Sequence, residues 1–324
     1  MTSAPAARPL LWPLVPVYRL GLALREFELR TGLKPVRWLK WPIVSIGSLS
    51  AGGAGKTPLT IALAKALTAR GIHVDVLSRG YGRRSALPLL VNPSGTAEQF
   101  GDEPLVIARE AGVQVYVADE RYEAGLLAER DATGRSGVHL LDDGFQHRQL
   151  ARDVDILILS GRDLTDHLLP AGNLREPLHA AARAHVLAIP ADQPEFEAEL
   201  NSRGWQGTIW RIRRRMEVPH FDGSIAAFCG IARPEQFFEG LERAEVKLAV
   251  RTAFPDHHRY TASDLERLAN EARAAGATAL LTTEKDHVRL GSRVTQLPIK
   301  TTRLRVEIED EEAAVLWLRD RLGQ

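Results

Sequence analysis

The sequence predicts an α/β fold in which helices flank a parallel sheet, with a second, smaller α/β lobe and an amphipathic N-terminal helix. The main observation is that short β-branched stretches alternate with helical stretches along the chain. Strands are expected at 74–77, 113–117, 138–141, 155–159 and 186–189, and a helix at 121–130. Because such alternation needs crossover connections, it gives parallel strands with helices on both faces. Active residues are then expected at the carboxyl ends of the strands, where the loops lie.

A glycine-rich loop, GSLSAGGAGKTP at 47–58, follows the first expected strand at 42–46 and precedes a helical pattern at 59–67. In a strand–loop–helix unit of this type, backbone N–H groups converge on a phosphate at the helix N-terminus. Lys56 is expected to reach the β- and γ-phosphates, and Thr57 to bind Mg²⁺. The strict P-loop pattern has glycine where this chain has Ser50. The expected nucleotide-binding residues are Ser50, Ala51, Gly52, Gly53, Ala54, Gly55, Lys56 and Thr57.

A change of composition near residue 205 predicts a second lobe. The stretch 206–222 is rich in arginine and is interpreted as an edge hairpin or a linker. A new α/β pattern follows, with strands at 225–229, 246–250 and 278–283 and helices at 234–241, 263–275 and 310–322. The predicted division is an N-terminal helix region (1–40), a P-loop domain (41–205), a linker (206–222) and a second lobe (223–324) that closes over the active site.

The N-terminal region combines an amphipathic helix with basic residues and tryptophan. Val17, Leu20, Leu24 and Phe27 share one helical face, and residues 1–43 hold seven Lys or Arg against two Glu. The apolar stretch is too short and too interrupted for a transmembrane helix, and it lacks the marks of a signal peptide. Two interpretations remain equal from this pattern: a helix at a membrane interface, or a helix packed on its own domain.

Composition limits the remaining function classes. The net charge of +1 argues against a general nucleic-acid binder. The single cysteine, Cys229, excludes an internal disulfide and is typical of a reducing compartment; it lies in an apolar run that favours a buried side chain.

Two pairs of polar residues could serve phosphate chemistry. Asp142 and Asp143 end an apolar strand, where a P-loop enzyme places the carboxylate that holds Mg²⁺, although Asp-Asp-Gly is also a turn sequence. Arg175 could clamp a phosphate, with Glu176 on Mg²⁺ or on that arginine. The alternative for this second pair is an ordinary exposed ion pair.

Two further positions could handle a proton. Asp102 lies before an expected helix at 105–111, either as its N-cap or as a carboxylate that accepts a proton from an attacking hydroxyl. The stretch 254–260 holds an Asp and two adjacent His, which favour proton transfer over zinc binding, since no matching ligand spacing occurs elsewhere. Surface histidines are the alternative.

TTEKD at 282–286 has the wrong spacing for a guanine-reading motif, which weakens a GTPase interpretation.

Together these segments resemble the tetraacyldisaccharide 4′-kinase family, over almost the whole chain and in order. The matching stretches are SIGSLSAGGAGKTP (45–58), SRGYGR (78–83), GDEP (101–104), LLDDGFQHR (140–148), LPAGNLREP (169–177), FPDHHRY (254–260) and TTEKD (282–286). The resemblance implies transfer of the γ-phosphate of ATP to the 4′-hydroxyl of a tetraacyl glucosamine disaccharide 1-phosphate, giving lipid IVA. It also implies a peripheral position on the cytoplasmic face of the inner membrane, through the N-terminal helix.

The resemblance further implies roles for individual residues. Asp102 matches the general base and pairs with His257, the first His of its loop. Lys56, Thr57 and either Asp142 or Asp143 would hold Mg²⁺ and ATP. Arg175 and Glu176 match a further pair of active-site residues in that family.

Three other functions remain open from the residues. A P-loop GTPase or metallochaperone-type switch would send the phosphate to water, a membrane adaptor would use only the basic helix, and a soluble small-molecule kinase would not need that helix. The choice between Asp142 and Asp143, the roles of His147, His258 and Lys285, the acyl-chain preference and the oligomeric state are left undecided by the sequence.

Overall fold

The computed structural model describes residues 8–293 and 295–323, and in this part of the chain twelve strands form one continuous sheet. The strands are β1 (Ile43–Ser48), β2 (Val74–Ser78), β3 (Leu89–Leu90), β4 (Gln114–Val117), β5 (Val138–Asp142), β6 (Val154–Ile158), β7 (Val186–Pro190), β8 (Thr208–Glu217), β9 (Ser224–Cys229), β10 (Leu248–Ala253), β11 (Ala277–Thr283) and β12 (Ile299–Ile308). Their order across the sheet is β10-β9-β11-β12-β8-β7-β6-β1-β5-β2-β4-β3. Every neighbouring pair is parallel except β12–β8 and β3–β4.

Helices connect these strands. They are α1 (Val15–Arg30), α2 (Lys56–Thr68), α3 (Ala97–Phe100), α4 (Asp102–Ala111), α5 (Arg121–Asp131), α6 (Gly161–Thr165), α7 (Pro194–Ser202), α8 (Pro234–Arg243), α9 (Ala262–Ala274), α10 (Glu284–Leu290) and α11 (Glu311–Leu322), with 3₁₀ turns at Pro9–Leu14 and Leu178–Arg183. Local signals explain several starts: proline opens α7 and α8, and Thr261 caps α9 by accepting a hydrogen bond from the Asp264 amide. The predicted α/β fold class is confirmed.

The centre of the sheet positions the phosphate loop. All six residues of β1 are buried, and β1 lies between β5 and β6. The register pairs Ile46 with Asp142, so the end of β5 lies beside the strand that leads into the loop. Strands buried on both faces read as continuous apolar runs, which is why these segments are recognisable in the sequence.

The stretch 206–222 is not an edge hairpin, and that interpretation is wrong, because most of the stretch forms the single strand β8. β8 is ten residues long and lies inside the sheet, parallel to β7 and antiparallel to β12. Trp210 and Ile212 point into the core, while Arg211 and Arg213 make ion pairs with Glu197 and Glu309. The strand thus buries its apolar side chains on one face and pairs arginines with acidic residues on the other. The two-lobe division stays a proposal, with β8 as the strand between the lobes; residues 1–7, Val294 and Gln324 of the predicted ranges lie outside the described residues.

The N-terminal helix α1 has two different faces. Tyr18 and Leu22 pack against a core cluster, and the Tyr18 hydroxyl donates to the carbonyl oxygen of Arg175 at 2.8 Å. The opposite apolar face is exposed; its members are Val17, Leu20, Leu24 and Phe27. Within residues 8–293 and 295–323, every helix is too short or too polar to cross a bilayer.

Candidate active site

The glycine-rich loop has the backbone of a phosphate cradle. Gly52, Gly53 and Gly55 have φ values of 69°, 62° and 90°, in the left-handed region that glycine tolerates. Ser50 is not among the residues with positive φ, so glycine is not required there. Its backbone instead forms a bridge with Leu174, and this explains how the chain departs from the strict pattern.

The second half of the sheet lies directly against this loop. A Cβ built on Gly52 would come within 2.4 Å of the Ala232 Cβ, and one on Gly53 within 2.7 Å of the Arg233 Cδ. Arg214 of β8 donates to the carbonyl oxygen of Ala54. Thus the segment after β9 and the strand β8 both contact the glycine-rich loop.

Asp143 lies next to two cationic side chains beside the loop. Arg175 donates to both of its carboxylate oxygens, at 2.9 and 2.7 Å, and the Lys56 Nζ lies 3.5 Å away. Burial alone would raise the pKa of Asp143, but Lys56 and Arg175 hold it well below the usual range. Asp143 also has a φ of 52°, which is rare for a residue with a side chain. A backbone of this kind is typical of functional sites.

Asp142 has the opposite environment. It is buried, and its Oδ1 accepts a hydrogen bond of 3.0 Å from the Thr60 hydroxyl, while its Oδ2 has no hydrogen-bond partner within residues 8–293 and 295–323. Burial, together with the charges of Glu103 and Asp143, raises the pKa of Asp142 to about 7. The hydroxyl-bearing Thr57 is also buried at the start of α2.

Asp142 and Thr57 fit a Mg²⁺ ion. A buried carboxylate oxygen without a donor is suited to a hard cation or its water, and Mg²⁺ takes few protein oxygens when it also binds substrate phosphates. Asp143, by contrast, is already neutralised by two side chains. The structure therefore distinguishes the two adjacent carboxylates by their partners, a distinction that the sequence left open.

Arg175 and Glu176 have separate partners. Arg175 points to Asp143 and is also within 3.3 Å of the Ser48 carbonyl oxygen, whereas Glu176 accepts a hydrogen bond of 2.7 Å from Arg183. Arg183 in turn lies over the Phe145 ring. So Arg175 lies against Asp143 and the backbone that leads into the glycine-rich loop, and Glu176 forms a separate ion pair next to it.

Asp102 and His257 meet across the two halves of the chain. Asp102 is the first residue of α4 and is 4% exposed; its Oδ2 lies 3.2 Å from the His257 Nδ1. His257 has a φ of 58° and its side chain is 36% exposed. His258 turns away and contacts Asp264 at 3.1 Å. The geometry thus selects the first His of the pair.

The two groups favour each other's charged form. Burial would raise the pKa of Asp102, but the hydrogen bond with His257 and the charge of Arg289 hold it well below the usual range. The same hydrogen bond raises the pKa of His257, against the effect of its burial. An ionised carboxylate beside an imidazole is a pair that can accept and store a proton.

The segment after β9 links this pair to the phosphate loop. Gly230 accepts a hydrogen bond from the His257 amide at 3.1 Å, and two residues later Ala232 contacts Gly52. Lys285 of α10 donates to Glu103 at 2.5 Å; burial would lower the pKa of this lysine, but the charges of Glu103, Asp102 and Asp142 raise it. Consequently the glycine-rich loop, the carboxylates and the Asp102–His257 pair lie in one region of the fold.

Sequence reasoning did not identify Arg289 and Arg121. Arg289 lies one turn after Lys285 on α10, so a helical reading of the stretch after TTEKD could have found it. Arg121 begins α5 and is 9% exposed, yet its Nε has no hydrogen-bond partner among the described residues. Burial and the charges of Arg121, Arg152 and two further arginines lower the pKa of His147 to about 3. This basic region next to Asp143 would suit an anion.

Comparisons with known proteins identify the family. Residues 7–323 match the family described as tetraacyldisaccharide-1-P 4′-kinase, LpxK. The chain belongs to this family. It is therefore an ATP-dependent kinase for the 4′ position of a tetraacyldisaccharide 1-phosphate, as the sequence predicted, and the GTPase alternative is not favoured.

Individual relatives are similar to this kinase over most of their lengths. A tetraacyldisaccharide 4′-kinase of Koribacter versatilis is 41% identical over 314 residues, which cover 94% of this kinase and 96% of the relative. One from Parvibaculum lavamentivorans is 38% identical and covers 99% and 91%. A crystal structure of LpxK from Aquifex aeolicus in complex with ATP has a TM-score of 0.77 and 32% identity, covering 96% and 98% of the two chains.

Proposed function

We propose that this kinase transfers the γ-phosphate of ATP to the acceptor's 4′-hydroxyl in the cleft between the loop at 50–57 and the Asp102–His257 pair. The observation that carries this proposal is the 230–233 segment, which contacts both His257 and the loop glycines. A donor site and a proton acceptor thereby face one cleft. That arrangement is what phosphoryl transfer to a hydroxyl needs, because its chemistry consists mainly of positioning and charge neutralisation.

The loop residues 50–57 would bind the triphosphate through backbone N–H groups, as the glycine conformations allow. Thr57 and Asp142 would hold Mg²⁺, which when bound supplies positive charge to the phosphates. Asp143 serves a different role, since it aligns Lys56 and Arg175 on one carboxylate. Those two cations would then stabilise the charge that spreads over the transferred phosphoryl oxygens. Glu176 would act indirectly, by fixing the backbone next to Arg175 through its ion pair with Arg183.

The Asp102–His257 pair would take the proton of the attacking hydroxyl. His257 is the member exposed to the cleft, and Asp102 is the buried, ionised member behind it. Proton removal is needed late in a loose transition state, so a pair that carries one ionised carboxylate is sufficient. Closing of the two halves over the loop would keep water away from the phosphate.

The phosphate that the acceptor already carries would bind in the basic region around Arg121. A guanidinium that is nine-tenths buried and has an unpaired Nε is unfavourable unless an anion completes it. Arg121 lies close enough to Asp143 for each charge to affect the other, so an anion there would lie beside the reacting groups. This supports an acceptor that already carries a phosphate.

The exposed face of α1 would hold the enzyme at a membrane surface, on the cytoplasmic side of the inner membrane. Its apolar residues are exposed although the other face of the helix is packed, and Trp38 is exposed near the basic residues that follow. A peripheral attachment of this type leaves the acyl chains of the acceptor in the bilayer while the sugar enters the cleft.

The test is transfer of ³²P from labelled ATP, with Mg²⁺, to a tetraacyl disaccharide 1-phosphate in detergent micelles, beside GTP and a no-lipid control. Lys56→Met should abolish labelled lipid, whereas Lys65→Met, an exposed lysine on the same helix, should retain it. Label released only as free phosphate, or lipid labelling that survives Lys56→Met, would overturn the proposal.

A further inference from the structure

Arg289 is the buried cation closest to the Asp102–His257 pair, and it comes from the opposite half of the chain. Its side chain is 7% exposed. Its Nε donates to the Asp102 Oδ2 at 2.7 Å, and its Nη2 donates to the same oxygen. The Nη2 also lies 3.2 Å from the His257 Nδ1. Arg289 therefore contacts both members of the pair at once.

The far side of the guanidinium is anchored in the second half of the sheet. The Nη1 donates to the Gly230 carbonyl oxygen at 2.5 Å and to the Asp286 Oδ1 at 3.0 Å. Asp286 is fully buried and accepts hydrogen bonds from the Gly230 amide at 3.0 Å and the Tyr260 hydroxyl at 2.9 Å. Because hydrogen bonds hold both sides of the planar guanidinium, it has little rotational freedom. Asp102 is therefore hydrogen-bonded to a rigid group.

We propose that Arg289 is a positioning residue that keeps the Asp102 carboxylate ionised and aligned with His257 across the junction between α4 and α10. The inference rests on the proposed function, since it assigns the orientation of the groups that take the hydroxyl's proton. Arg289 does not touch the reacting atoms. It acts through Asp102, and it places the base correctly only when the two halves of the chain are packed together.

The charges around Asp102 give the physical reason. The groups facing it are His257 from the loop after β10, Lys285 and Arg289 from α10, and the Glu103 amide and side chain of α4. A buried carboxylate without a close cation favours its neutral form, which cannot accept a proton. Lys285 is engaged with Glu103, and His257 is half-exposed, so Arg289 supplies the fixed charge.

His257 adds a second consequence. Its Nδ1 lies at the same 3.2 Å from the Asp102 oxygen and from the Arg289 Nη2. Arginine can only donate, so a proton on Nδ1 must point to Asp102. An unprotonated Nδ1 would instead accept from the Arg289 Nη2, and the Nε2 lies 3.9 Å from the Asp256 Oδ2. Arg289 thus contacts the ring nitrogen on which the tautomer of His257 depends.

The experiment compares Arg289→Gln, which removes the charge, with Arg289→Lys, which keeps it. The readouts are kcat and KM for lipid and ATP and the pH profile of kcat/KM, with Arg243→Ala on exposed α8 as the control. We expect Arg289→Gln to lower kcat at least about 10-fold and to move the acidic limb up by about one pH unit or more. Arg289→Lys should lower kcat less and leave that limb within about half a unit, because a cation remains.

The direction in which the acidic limb moves is determined by the ionisation of Asp102. With the cation removed, the pKa of Asp102 rises, and the fraction of enzyme with an ionised base falls at low pH, so the limb moves upward. The KM for ATP should change by less than about 2-fold, because Arg289 contacts no residue of the phosphate loop. If the Gln variant does not fold, Arg289→Met, which is uncharged and of similar length, replaces it.

Equal losses in the Gln and Lys variants with an unmoved acidic limb would show a purely structural role and overturn the inference. So would a Gln variant that behaves like Arg243→Ala. The proposed function fails separately, if the unmodified enzyme itself does not label the lipid.

Discussion

Asp142→Asn tests the difference between the two adjacent carboxylates through folding stability, without substrate. Burial and two neighbouring carboxylates raise the pKa of Asp142 from its ordinary 3.8 to about 7. Asparagine has nearly the same shape, and its oxygen can still accept the 3.0 Å hydrogen bond from Thr60. The substitution therefore removes ionisation with little change in packing.

The magnitude follows from linkage. At pH 5 the folded protein binds a proton at Asp142 while most unfolded chains do not, so this group stabilises the fold; the contribution is lost as the pH rises through about 7. At about 1.4 kcal/mol per unit of pKa difference, the free energy of unfolding of the parent should lose about 3 kcal/mol between pH 5 and pH 8 through this group. The Asn variant should lack this loss, and so gain about 3 kcal/mol relative to the parent at pH 8.

The assay is urea unfolding of both proteins at pH 5 and pH 8, with EDTA and without nucleotide, and with Asp320→Asn on exposed α11 as the control. Mg²⁺ with ATP should then stabilise the parent more than the Asn variant, because the variant lacks the carboxylate that we propose holds Mg²⁺. If the parent and variant differ by the same free energy at both pH values, within about 0.5 kcal/mol, Asp142 is ordinarily ionised and the reasoning is wrong.

Three further outcomes are expected. Asp102→Ala should lower kcat at least about 10²-fold while ATP affinity is kept, and near-normal kcat would remove Asp102 as part of the base. Deletion of residues 1–30 should weaken flotation with anionic vesicles, because the exposed face of α1 is lost; unchanged flotation would contradict the membrane role. Arg121→Gln should raise the KM for the phosphorylated acceptor at least about 10-fold yet spare ATP binding, and an unchanged KM would exclude Arg121 from acceptor recognition.

Much of this site was predictable because its parts are local. A glycine loop between a buried strand and a helix identifies itself by composition, and Lys56 and Thr57 follow at fixed spacing. Asp142 and Asp143 were recognisable at the end of an apolar strand, and the pairing of Asp102 with His257 came from the family resemblance. The structure now places these last two within 3.2 Å, from segments more than 150 residues apart.

The arginine-rich strand β8 shows where local reasoning failed. Its polar composition favoured a linker, yet Trp210 and Ile212 alternate with the arginines and face the core. The arginines on the other face are paired with acidic residues elsewhere, such as Glu197 and Glu309. The alternation is a strand signal in the segment itself, whereas its place inside the sheet depends on pairing with β7 and β12, which no local pattern shows.

By itself, the sequence determined the α/β class, the phosphate loop and the family, because hydrophobic periodicity and short-range motifs are local properties. Only the tertiary structure decided which of the two adjacent aspartates is neutralised by Lys56 and Arg175, and that Arg289 contacts both Asp102 and His257. The reason is physical: burial, charge balance and hydrogen-bond geometry depend on neighbours that the fold brings together, and Asp142 and Asp143 differ only in those neighbours.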